Sequence, residues 1–142
     1  MTTKKPKIIL VVDDSPVMQR ATEKLLVNNN FTVLAAYSGN ECLRLAREKM
    51  PSIILMDVIL PDSNGKDIVK MLKSEPPTAH IPVIFTTNTL SLKDDDGGQY
   101  FEVDGKKYRA FAKPLHYRKL VSTIHKEINR SIHGGQLPPE KK

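Results

Sequence analysis

Lys7-Ile8-Ile9-Leu10-Val11-Val12-Asp13-Asp14-Ser15-Pro16 is the stretch on which the reading of this chain turns. Lys7 to Val12 is a short apolar run rich in β-branched residues, which reads as a buried strand. It stops at two aspartates. Ser15 then offers a helix cap, and Pro16 suits the first helical position. Met18, Ala21 and Leu25 recur behind it at helical spacing until Asn28-Asn29-Asn30 ends the helix.

The alternation continues. Phe31 to Ala36 is a second strand, and Ser38 caps a second helix with Leu43, Ala46 and Met50 on its buried face and Cys42 as a small core residue. Ser52 to Met56 is a third continuous apolar run, ending at Asp57, and Leu60-Pro61-Asp62-Ser63-Asn64-Gly65 is turn chemistry. Ile68, Met71 and Leu72 mark a third helix closed by Pro76-Pro77, and Pro82 to Thr87 is a fourth strand. After Lys113-Pro114, Leu120, Val121, Ile124, Ile128 and Ile132 form the stripe of a last helix that Gly134-Gly135 ends. Continuous apolar strands between amphipathic helices mean a parallel sheet covered on both faces. The expected fold is a doubly wound α/β domain with a five-stranded parallel sheet.

The 142 residues suit one domain, expected at 7–133, with a basic tail at 1–6 and a disordered tail at 134–142. The longest apolar stretch, Ile8 to Val12, is far short of the ~20 residues that span a bilayer. The basic N-terminus has no signal-type h-region or small-residue cleavage site behind it, so no secretory signal is read and the expected location is cytoplasmic. Cys42 is the only cysteine, which excludes an internal disulfide and a multi-cysteine zinc site. His80, His116, His125 and His133 are dispersed without metal-type spacing. Charge is segregated: residues 1–12 carry +3, residues 13–105 carry −5 and residues 106–142 carry +8, summing to the net +6. A basic end can serve nucleic acid or an acidic partner, but a solvated helix with a lysine-ended tail is its ordinary reading, and nucleic acid is not the expected partner.

In such folds the functional crevice lies beyond the carboxyl ends of the strands. Those ends carry Asp13-Asp14, Asp57, Thr86-Thr87 and Lys113. Each has an ordinary explanation alone, as a cap, a polar turn, a strand residue or a surface lysine. Together at one sheet edge they define a chemistry. Three close carboxylates repel one another and call for a counter-charge. Mg²⁺, a hard cation with oxygen ligands, answers that need, and lysine adds a second positive charge. A threonine hydroxyl beside them completes a set suited to phosphoryl transfer onto an aspartate, though spacing alone does not choose the acceptor.

Val11-Val12-Asp13-Asp14-Ser15-Pro16, Leu55-Met56-Asp57-Val58-Ile59-Leu60-Pro61, Asn64-Gly65, Pro82-Val83-Ile84-Phe85-Thr86-Thr87 and Lys113-Pro114 resemble the receiver domain of bacterial two-component response regulators, of the stand-alone type, over about residues 5–132. The resemblance implies a flavodoxin-like sheet of order 2-1-3-4-5. It implies Asp57 as acceptor of a phosphoryl group from a histidine kinase or phosphotransfer protein. It also implies Mg²⁺ held by Asp14, Asp57 and the backbone carbonyl of Ile59, with Asp13 acting through water. Lys113 would contact the phosphoryl group ahead of a cis peptide to Pro114, and Thr87 would be the switch hydroxyl. Thr86 is expected to point away, because strand side chains alternate.

Three departures from the family pattern stand out. Asn88 replaces the small residue usual after the switch threonine. Ala110 replaces the switch aromatic three residues before the lysine, with Tyr108 on the same strand face and Phe111 on the other. Between Thr87 and Lys113, where the family has a helix, Asp94-Asp95-Asp96-Gly97-Gly98 is poor helix material. The acidic run also lacks the alternate-residue spacing of a calcium loop. Asp104-Gly105 between two alternating segments signals a β-hairpin at about residues 99–111 in place of that helix.

Three function classes follow. The first is a phosphorylation-controlled receiver that acts by binding a downstream protein or passing the phosphoryl group on, with a homodimer left open and no membrane insertion. It accepts and loses its own phosphoryl group and turns over no separate substrate. The second, a haloacid-dehalogenase-type phosphatase, would need an Asp-x-Asp nucleophile motif after strand one, where this chain has an adjacent pair. The third is a constitutive protein or nucleic-acid binding module on a divergent receiver fold.

Overall fold

The computed structural model describes residues 6–87, 99–113 and 117–132. The four apolar runs become β1 (Ile8–Val12), β2 (Thr32–Ala36), β3 (Ile53–Asp57) and β4 (Val83–Thr87). Two more strands follow, β5 (Gln99–Val103) and β6 (Lys106–Ala112). The helices are α1 (Pro16–Val27), α2 (Gly39–Lys49), α3 (Gly65–Ser74), the single turn α4 (Pro76–Ala79) and α5 (Tyr117–Ile132). The sheet order is β2-β1-β3-β4-β6-β5. The first five strands of that order are parallel, with β6 in the place of the expected fifth strand, and β5 adds an antiparallel edge.

Strand alternation divides the core in two. Leu10, Val12, Ile54, Met56 and Phe85 pack beneath α2 and α3 with Cys42, Leu43, Ile68 and Leu72. Ile9, Val11, Leu55, Ile84 and Phe111 lie on the opposite face with Leu26 of α1 and Leu120, Ile124 and Ile128 of α5. Each fully buried side chain of this size contributes about 1.5–3 kcal/mol, so both layers hold the sheet in register and fix its carboxyl edge.

Some helix faces differ from the sequence reading. On α1 the buried stripe is Gln19, Thr22 and Leu26, while Ala21 is exposed and Met18 and Leu25 are half-buried. Gln19 takes the inward position because its Nε2 donates to the carbonyls of Val11, Asp13 and Ala36 at 2.9, 3.0 and 2.9 Å. Met50 is the exposed left-handed cap of α2, with φ 48°, and Met71 faces solvent while Val69 is buried. Ile132 is likewise exposed at the end of α5. The prolines after α3 open α4, whose Thr78 hydroxyl donates to the Leu72 carbonyl at 2.7 Å.

The hairpin is present. Asp104 and Gly105 have φ of 51° and 81°, the two left-handed residues of a type I′ turn between β5 and β6. Phe101 and Tyr108 face each other across the pair, and their ring centroids lie 5.4 and 5.8 Å from that of Phe85. Residues 88–98, and with them the expected loss of a helix and the acidic run, lie outside the described residues. So do the tails at 1–5 and 133–142, Pro114 and its peptide bond, His116 and His133. Among the described residues no helix is long and apolar enough to cross a membrane.

Candidate functional site

Parallel register brings the polar strand ends together. Val12 stands beside Met56, Asp57 beside Thr86 and Thr87 beside Ala112, so Asp13, Asp57 and Lys113 meet at one edge. Asp13, Asp14 and Asp57 each offer a carboxylate oxygen, all within 4.8 Å of one another. Asp13 and Asp57 are buried and Asp14 is exposed. The Lys113 ammonium crosses 56 residues of sequence to Asp57 and 100 to Asp13, donating to one oxygen of each at 3.0 and 2.6 Å. Backbone amides take the other oxygens: Ser15 N–H donates to Asp13 at 2.9 Å, and Ile59 N–H to Asp57 at 3.3 Å.

Electrostatics set the state of this cluster. Burial pushes the Asp57 carboxyl above its ordinary range; Lys113 pulls it back, and the Asp13 charge pushes it up again. Burial alone would lower the Lys113 ammonium, but its bonds to Asp13 and Asp57 outweigh that and the net shift is upward. One lysine against three carboxylates leaves the cluster net negative. Two oxygens on a single Mg²⁺ lie up to ~4.2 Å apart, twice the usual 2.1 Å bond. A spread of 4.8 Å therefore needs only a small adjustment, and the donor set fits a hard divalent cation.

The two threonines at the end of β4 alternate in face. Leu55 and Ile84 share one core layer and Met56 and Phe85 the other, and Asp57 stands beside Thr86 at the end of the register. Thr87, one residue on, shares the face of Phe85 and Ala110; it is fully buried, and its carbonyl accepts the Lys113 N–H at 2.9 Å. Both threonines end at the level of the cluster. His125 is placed away from it, its ring 5.2 Å from that of Phe31.

Two residues of this edge escaped sequence reasoning. Gln19 holds the backbone of the acidic pair through the Asp13 carbonyl, and a polar residue on an amphipathic helix gives no signal of that. Asp62 bonds the start of α2 and is hidden in sequence among turn-forming residues.

A five-stranded parallel sheet with an acidic cluster and a lysine at its carboxyl edge defines the class. The model of the response regulator receiver domain matches residues 9–125, and the chain belongs to that family, the phosphoacceptor modules of two-component signalling. The chain is 32% identical over 120 residues to the protein PilH of Pseudomonas aeruginosa, covering 82% of this chain and 93% of PilH. It is 34% identical over 91 residues to the polar-differentiation response regulator DivK of Brucella anthropi, covering 64% of this chain and 73% of DivK. A histidine kinase, P4 of Formosa agariphila, is 35% identical over 92 residues, which is 65% of this chain and only 7% of that protein. Among solved structures, the receiver domain of a Pseudomonas aeruginosa sensor histidine kinase, with a magnesium ion in its active-site cleft, superimposes with a TM-score of 0.74. It is 24% identical and the match covers 87% of this chain and 98% of that one, a likeness of fold.

Proposed function

We propose that Asp57 is the residue that accepts the phosphoryl group, in the cytoplasm, from a phosphohistidine on a sensor histidine kinase or phosphotransfer protein. One observation carries the reading: the Lys113 ammonium reaches both Asp57 and Asp13 inside a cluster of three carboxylates. An oxygen of Asp57 attacks phosphorus as the P–N bond breaks; the electron pair returns to the imidazole, which takes its proton from solvent. Asp14, Asp57 and the carbonyl of Ile59 would hold Mg²⁺, with Asp13 acting through water. Bound there, Mg²⁺ neutralises charge on the phosphoryl oxygens. Lys113 releases Asp57 and engages a phosphoryl oxygen, and the Thr87 hydroxyl donates to another. The protein turns over no separate substrate; its output is a protein contact that depends on phosphorylation.

The test is intact-protein mass after incubation with acetyl phosphate, with and without Mg²⁺, alongside Asp57→Ala. A Mg²⁺-dependent gain of one phosphoryl group, absent in the variant, is the expected result. No gain, followed by failure to bind Mg²⁺ and beryllofluoride, would favour a constitutive binding module, for which Ala110 at the switch position is the supporting feature.

A further inference from the structure

We propose that Asp62 is a positioning residue: it anchors the loop carrying the Ile59 carbonyl to the start of α2 and so sets the affinity of the carboxylate cluster for Mg²⁺. The inference rests on the Mg²⁺ reading above and adds a residue outside the ligand set. Residues 59–64 form a closed loop. Ile59 and Asn64 bridge in antiparallel fashion, Leu60 N–H donates to the Ser63 carbonyl at 3.1 Å, and Gly65 N–H donates to the Val58 carbonyl at 2.6 Å. From its tip the Asp62 carboxylate accepts Gly39 N–H at 2.8 Å and Asn40 N–H at 3.0 Å, and Ser63 Oγ donates to it at 3.1 Å.

The first amides of a helix have no partner within it, and α2 satisfies only part of this set from its own sequence. Ser38 Oγ accepts Glu41 N–H at 3.1 Å, the Ser38 carbonyl accepts Cys42 N–H at 3.0 Å, and the Glu41 carboxylate reaches back to Tyr37 N–H at 2.7 Å. Gly39 and Asn40 are the two amides that this capping box leaves over, and Asp62 takes both. Its negative charge also suits the positive end of the helix.

Gly39 provides an independent observation. A Cβ on it would lie 2.3 Å from Ser63 Oγ and 2.6 Å from Ile68 Cδ1, so the Ser63 side chain of the loop sits directly on the α2 backbone and an added methyl group would push it and Ile68 aside. Cys42, Leu43 and Ala46 bury α2 in the sheet core, which makes it a fixed support. The loop is thus held at β3 by the chain, at α3 by the Asn64 cap and at α2 by Asp62. Releasing the third point frees the tip and, three residues upstream, the Ile59 carbonyl. Outer partners of metal ligands commonly alter affinity 10–100-fold; Asp62 is exposed, so about tenfold is expected.

The experiment is calorimetric titration of the full chain with MgCl₂ at low and high ionic strength. It compares wild type, Asp62→Ala, Gly39→Ala and Asp67→Asn, which removes an equal charge from the exposed first turn of α3. Amide resonances of Gly39 and Asn40 are followed in parallel. Support would be an about tenfold higher Kd for Asp62→Ala that persists in high salt, an unchanged Kd for Asp67→Asn, and Mg²⁺-induced shifts of both amides in wild type. Gly39→Ala should raise the Kd in the same direction without any change of charge. A wild-type Kd for Asp62→Ala, or a loss that salt abolishes or Asp67→Asn reproduces, would overturn the proposal. Absence of binding by wild type itself would instead overturn the Mg²⁺ reading on which it stands.

Discussion

Replacing Lys113 by methionine keeps the length of the side chain and removes its charge. In the folded protein the ammonium lies 2.6 Å from Asp13 and 3.0 Å from Asp57, with all three side chains at most 10% exposed. Removing one partner of a buried pair costs about 3–5 kcal/mol, because the charge left behind stays desolvated. The exposed Asp14 brings water to this edge, so the lower end, about 3 kcal/mol, applies. At about 3–4 °C per kcal/mol for a domain of this size, the melting temperature falls by about 10 °C in EDTA. Mg²⁺ restores the missing positive charge; at 100 times its Kd it contributes about 2.7 kcal/mol and nearly returns the variant to the stability of wild type in EDTA.

The pH dependence has a defined sign. Burial holds Asp57 above its ordinary 3.8, and Lys113 opposes that shift; without the lysine the carboxyl rises further. A group whose folded pKa exceeds its unfolded one contributes stability at low pH and loses it as pH rises through the folded value. The variant's deficit should therefore grow with pH above 3.8 and close below it, where Asp57 is protonated in both states. Thermal melts by circular dichroism across pH, with EDTA or Mg²⁺, read this directly. A variant melting within about 2 °C of wild type in EDTA at neutral pH would refute the account of the cluster, as would a variant melting temperature insensitive to Mg²⁺.

Ile59 is apolar and 57% exposed, so it offers no group to orient an attacking water. Ile59→Asn should shorten the lifetime of the phosphorylated protein, followed by decay of its mass; an unchanged rate would count against the placement of Ile59. Lys73 is pushed down to about 8 by burial, with the Lys106 charge the smaller cause, while its ammonium donates to the Ala79 and Ile81 carbonyls at 3.0 and 2.6 Å. From about 8 to its ordinary 10.5 the unfolded chain binds the extra proton. Wild-type stability should thus rise relative to Lys73→Met by up to ~1.4 kcal/mol per pH unit there, and a flat difference in urea titrations would sink the idea. Phe101→Ala removes one of two rings on Phe85; as Phe101 is only half-buried, about 2 kcal/mol should be lost, below the range for a fully buried ring. Amide exchange should rise first in β5 and β6, with phosphorylation of Asp57 unaffected.

The parallel core was readable because a strand covered on both faces must be apolar at successive positions, and three of the four such runs ended in polar residues. The hairpin was readable because Asp-Gly supplies the two left-handed residues of its turn. Gln19 was missed for a tertiary reason: apolar periodicity selected Met18, Ala21 and Leu25, whereas the carbonyls of Val11, Asp13 and Ala36 drew an amide to the inner face. The methionines were missed because an unbranched apolar side chain is tolerated on either face, and Met50 and Met71 both ended outside.

Ala110 shows how the fold fills a missing aromatic. It stands beside Phe85 in the β4–β6 register and is fully buried, with only a methyl group to pack there. Phe101 and Tyr108 supply the rings instead, from the hairpin, and both lie against Phe85. Lys66 of α3 sits 4.6 Å over Phe101, and Lys73 sits 6.0 Å over Tyr108. On the other face of the hairpin, Arg109 donates to the buried Glu127 of α5 at 3.1 Å, and Arg130 shares that carboxylate. The hairpin is gripped from both sides. Thr87 lies two residues beyond Phe85 on the same face of β4, so its route to the surface runs through Phe85 and two hairpin rings. Both rings are thereby held in a strand pair that α3 and α5 contact from opposite faces.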